Sequence, residues 1–107
     1  MNYDPDKIYQ KVVELGEEWA DKQDAADLLD REEKNVLARL KLTFTFEKSD
    51  TAKEMMARCT DGWKQYGYDL VKAKTAARKA KVKYDAARSW EDGMRTKAAN
   101  LRAEMKL

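Results

Sequence analysis

The chain has no histidine, one cysteine, one proline and four glycines in 107 residues. Nor does it contain an apolar run near the roughly twenty residues that a membrane-spanning helix needs. Each scarcity excludes something. Without histidine there is no imidazole base, no Ser-His or Cys-His pair and no histidine metal ligand. A single cysteine builds neither a thiolate zinc site nor a disulfide framework, so a reducing, cytoplasmic setting is the expectation. No glycine-rich phosphate loop and no P-loop lysine signature is present. A carboxylate metal site from Glu14, Glu17, Glu18 and Asp21 would lack the Glu-x-x-His pattern of helical di-metal proteins. The chain therefore reads as a non-enzyme with no cofactor, no metal and no small-molecule substrate. Its opening, Met-Asn-Tyr-Asp-Pro-Asp, lacks the basic-then-apolar order of a secretory signal.

Few breakers leave room for long helices, and the apolar pattern asks for them. From Met56 to Met105 the chain reads in heptads. One core position holds Met56, Trp63, Leu70, Ala77, Tyr84, Glu91, Ala98 and Met105; the other holds Cys59, Tyr66, Ala73, Ala80, Ala87, Met94 and Leu101. Glu91 is the one charged residue among them, which is the signature of a coiled-coil seam. On this seam Cys59 is a small buried hydrophobe, with no histidine to activate it.

Asp4 before Pro5 is a helix start, since Asp accepts from orphan amides and Pro at the first helical position loses nothing. Tyr3 and Ile8 fall where a hydrophobic staple would close. Ile8, Val12, Leu15, Trp19, Ala26, Leu29, Val36 and Leu40 continue by fours and threes, interrupted by Lys22 and Glu33. This predicts a helix over about 5–40, with an irregularity near Lys22–Asp24. Over 40–47 the period becomes two, with Leu40, Leu42, Phe44 and Phe46 alternating against polar residues. That predicts an extended segment, although Leu37, Leu40 and Phe44 also fit a helical face. The connection covers about 41–50. Ser49 or Asp50 is placed to cap the next helix, and Thr51 with Glu54 has capping-box spacing. The long second helix then covers about 51–105, with Gly93 as the place for a kink. The expected fold is a single all-α domain over residues 1–107, a long antiparallel helical hairpin or coiled coil.

Length adds a consequence. A first helix of about 36 residues spans roughly 54 Å, and a second of about 55 residues roughly 80 Å. The first would end opposite about residue 89. Trp90, Met94, Leu101 and Met105 would then form an uncovered apolar patch, which marks an interaction surface. A second copy is the economical cover, giving a homodimer or helical bundle.

Charge is unevenly spread. Residues 1–50 carry thirteen acids and eight bases, whereas residues 71–107 carry eleven bases and four acids. Lys74, Lys81, Arg88, Arg95 and Arg102 recur every seventh residue beside the seam. Lys72, Lys79, Lys83 and Lys97 make a second stripe, with Arg78 near it. Closely spaced bases gain affinity for phosphates through counterion release. The seam-flanking row also suits pairing with Glu18, Asp30 and Glu32 of the first helix. The second stripe has fewer partners within the chain and is the better nucleic-acid surface. Trp90, among Arg88 and Arg95, suits a protein interface in line with Met94 and Leu101.

The C-terminal stretch YDAARSWEDGMRTKAANLRAEMKL, Tyr84 to Leu107, resembles the ends of small helical proteins encoded by tailed phages and prophages. The resemblance implies a neighbourhood of recombination and single-strand-binding genes. The expected function is a phage-type accessory protein that contacts nucleic acid through its basic helix, in DNA recombination or replication. The alternative is a protein-binding module, an adaptor or anti-defence inhibitor, that meets a phage or host protein through the apolar end of the second helix or through the acidic first helix.

Overall fold

A computed structural model describes residues 4–106. It is all-helical: α1 Pro5–Arg31, α2 Glu33–Lys41, α3 Asp50–Arg58 and α4 Asp61–Met105. The helix starts follow local chemistry. The Asp4 carboxylate accepts from the amides of Asp6 and Lys7, at 3.1 and 3.3 Å, with Pro5 as the first helical residue. Ser49 caps α3 by accepting from the Ala52 amide at 3.3 Å. Glu54 turns to Arg58 at 2.8 Å and does not close a capping box. The Tyr3–Ile8 staple involves a residue outside the described ones.

The expected first helix is two. It runs unbroken through Lys22–Asp24 and breaks instead at Glu32. There the Glu32 amide is shared between the carbonyls of Leu28 and Leu29, and the Leu29 carbonyl also accepts the Tyr66 hydroxyl. A side chain inserted into the carbonyl ladder is a recognised cause of a helix break. The extended segment expected at 40–47 is also corrected. α2 continues to Lys41, and turns follow, with amides of Thr43, Phe44 and Glu47 bonding to carbonyls three residues earlier. A lone strand would have left both edges unpaired. The turn is closed by Lys41 and Asp50, 2.7 Å apart, and this pairing holds the Asp50 carboxyl below the usual aspartate range.

The expected second helix also divides, at Cys59 and Thr60, and α4 then passes Gly93 without a break. The break takes Cys59 off the seam and leaves it exposed, while Ala57 takes the inward place at 0% exposure. From Trp63 to Ala98 every heptad core position is buried or half-buried.

The chain forms two compact units, one holding the residues up to Asp21 with those from Ala77 on, the other holding Lys22–Ala76. In the first unit α1 and α4 run antiparallel, since Gly16 and Trp19 meet Tyr84 while Ile8 and Val12 lie near Ala87 and Trp90. Trp19 stacks on Tyr84 at 5.5 Å, and an added Cβ at Gly16 would lie 3.2 Å from the Tyr84 ring. Ala77 and Ala80 are buried here, and small residues let helices approach closely. In the second unit α2 packs on α3, Ala26 and Ala57 are buried, and Trp63 leans on Tyr66 at 5.5 Å. Among the described residues no large side chain is fully buried. The core is thin.

Candidate interaction surfaces

The row beside the seam is largely occupied at home. In the second unit Lys74 approaches Asp30 at 3.4 Å. In the first unit Lys81 lies over the Trp19 ring at 5.7 Å and Arg88 over the Tyr84 ring at 5.8 Å. Arg95 bonds Glu91 at 2.5 Å, and that pairing explains how a carboxylate occupies a core position while 8% exposed. Asp30 is thus a partner foreseen from sequence, and the aromatic faces are partners that were not. For Arg88 the signal was present, since it stands four residues from Tyr84; for Lys81, which lies over Trp19 of another helix, it was not. Arg102 is exposed beyond the last half-buried seam residue, Ala98.

The other stripe is differently placed. Lys72, Lys79, Lys83 and Lys97 are all exposed, and among the described residues none belongs to an ion pair within 4 Å. By heptad position Lys83 and Lys97 flank the seam on the side opposite Lys81 and Arg88, with Lys79 one step further out. Of this stripe, Lys72 and Lys79 stand away from the seam. Arg78 is exposed and falls on the Lys81 side.

The four apolar residues at the end of α4 separate into two pairs. Trp90 is 49% exposed and lines a shallow groove with Ala87, Ile8, Val12, Lys7 and Lys11. Met94 is half-buried. Leu101 and Met105 are exposed at 59% and 79%, and so is every residue from 99 to 106. The uncovered stretch therefore starts about two turns later than the length argument places it. The groove beside Trp90 measures about 190 Å³, below the 300–1,000 Å³ usual for small-molecule sites.

On α1, Glu14, Glu17, Glu18 and Asp21 are exposed, beside an outward row of Tyr9, Val13 and Ala20. Among the described residues no cluster of three or more acidic or cysteine side chains is placed to hold a metal ion. No described helix is long and apolar enough to cross a membrane. No family model, curated protein or solved structure matches the chain.

Proposed function

We propose that this chain is a non-enzymatic accessory protein that holds nucleic-acid phosphates against α4, in the phage-type recombination or replication setting that its C-terminal resemblance implies. One observation carries the reading: Lys79, Lys83 and Lys97 of the first unit are exposed and without ion pairs among the described residues, while Lys81, Arg88 and Arg95 are engaged. An ammonium group without a carboxylate partner breaks no ion pair when it meets a phosphate. Lys79 and Lys83 are one turn apart, about 6 Å, and Lys97 follows about 21 Å further along the same rigid helix. Such a row tracks a backbone and reads no base edges, so sequence preference is weak.

Binding of labelled single- and double-stranded DNA and RNA tests this. Three phosphate contacts predict about a forty-fold loss of affinity for duplex DNA, and about twenty-fold for single strands, between roughly 50 and 200 mM salt. K79E/K83E/K97E is expected to abolish retention with helicity unchanged. Absence of binding to any of these nucleic acids at low salt ends the proposal. Leu101 and Met105 favour a second reading, an adaptor or inhibitor docking a phage or host protein. It predicts a stoichiometric, nuclease-resistant partner whose capture K79E/K83E/K97E leaves unchanged.

A further inference from the structure

We propose that two copies of this chain pair through their first units, the end of α4 in each copy lying along the outer face of α1 in the other. Three observations converge on a second copy as the occupant. The apolar seam does not stop where burial stops. Ala98, Leu101 and Met105 continue its a and d positions, but beyond Ala98 every described side chain is exposed. Apolar side chains in seam register gain from a helix laid against them.

The charge around that end then selects the helix. Residues 97–106 hold Lys97, Arg102 and Lys106 against one acid, Glu104. Two such ends laid together would set cation against cation. An acidic helix with its own apolar row is required, and α1 is one. Its inner face is used, but Tyr9 and Val13 point outward at 59% and 39% exposure. Beside them runs the ridge of Glu14, Glu17 and Asp21, exposed and outside every ion pair among the described residues. Leu101 and Met105 face Tyr9 and Val13 in this pairing, and Arg102 and Lys106 face the acidic ridge.

The arrangement is self-complementary. If the end of one copy meets α1 of the other, a two-fold axis makes the reverse contact at the same time, and the assembly closes. The thin core gives the pairing a further reason, since among the described residues neither unit fully buries a large side chain of its own.

The test is a charge swap followed by sedimentation, on nuclease-treated protein with no nucleic acid present, so its outcome is separate from the phosphate reading. Wild type is expected to sediment as a dimer that weakens as salt rises. R102E/K106E puts acid against acid at both contacts, and E14K/E17K puts base against base. Each variant alone is expected to raise the dissociation constant at least ten-fold with helicity unchanged. Mixed in equal amounts, the two restore opposite charges at both contacts, and a heterodimer is expected to form. Wild type that stays monomeric up to millimolar concentration overturns the proposal. So do variants that dimerise as wild type does, or a mixture that stays monomeric. Should a charge-swapped chain lose helicity, Leu101→Ser takes its place: a weakened dimer supports the pairing, and an unchanged one overturns it.

Discussion

A phenol hydroxyl on the Leu29 carbonyl ties α4 to the first helix at the point where that helix breaks. Tyr66→Phe removes the bond and keeps the ring, so the expected loss is about 0.5–1.5 kcal/mol by urea unfolding. Burial raises the Tyr66 pKa, and the nearby charges of Glu33, Asp30 and Glu32 raise it further. The folded state thus favours the neutral phenol. That contribution is complete below the ordinary tyrosine range near 10. It is lost as pH climbs through the folded value. Stability measured against pH, with tyrosinate absorbance in parallel, should fall at the alkaline end in wild type and fall less in Tyr66→Phe. Glycines give a second comparison. Nothing lies within 4 Å of a Cβ added at Gly93, so Gly93→Ala should stabilise by about 1 kcal/mol through helix propensity alone. At Gly16 the same methyl meets the Tyr84 ring at 3.2 Å, and that ring is held by Trp19 and Arg88. Gly16→Ala should therefore melt below wild type, and Gly93→Ala above it.

At the scale of helices, the junction at Thr60 does two things with one hydroxyl. It donates to the Ala57 carbonyl at 2.7 Å, closing α3, and accepts from the Trp63 amide at 3.2 Å, opening α4. Thr60→Ala should cost about 0.5–2 kcal/mol, and Thr60→Ser should recover most of it, by thermal unfolding. This junction also shows what could be read from sequence. The seam from Trp63 to Ala98 was legible because a long repeat averages over many residues, and a single Glu91 does not erase it. Helix starts at Asp4 and Ser49 were legible because a cap acts within three residues. The break at Glu32 was not, since the hydroxyl that takes the Leu29 carbonyl there comes from Tyr66, 37 positions beyond Leu29. The turn after Lys41 misled for a related reason: alternation of Leu42, Phe44 and Phe46 fits a strand, but a strand needs a neighbour. Instead Leu42 and Phe46 are exposed and only Phe44 is half-buried. The candidate surface was half legible. Spacing found the basic rows and set Arg88 one turn from Tyr84, while only the placed ring of Trp19 showed that Lys81 was taken.

For the molecule as a whole, the two proposed contacts make similar electrostatic demands on the same helix. Residues 1–21 carry six acids and two bases, and residues 77–107 carry nine bases and four acids. Phosphates and a neighbouring α1 are both anionic, so both proposed contacts with α4 should weaken in high salt. Substitutions away from the end of α4 separate them: K79E/K83E should weaken nucleic-acid binding alone, and R102E/K106E should weaken self-association. One feature of α1 bears on how reliably either surface is presented. A heptad seam tolerates sliding by seven residues, because apolar positions again meet apolar positions. The notch at Gly16 removes that freedom. Tyr84 fits opposite a residue with no side chain, and a slip of one heptad would bring it against Tyr9 or Gln23. The pair works as a key in a slot, so the lysines along α4 keep a fixed axial offset from the acids of α1.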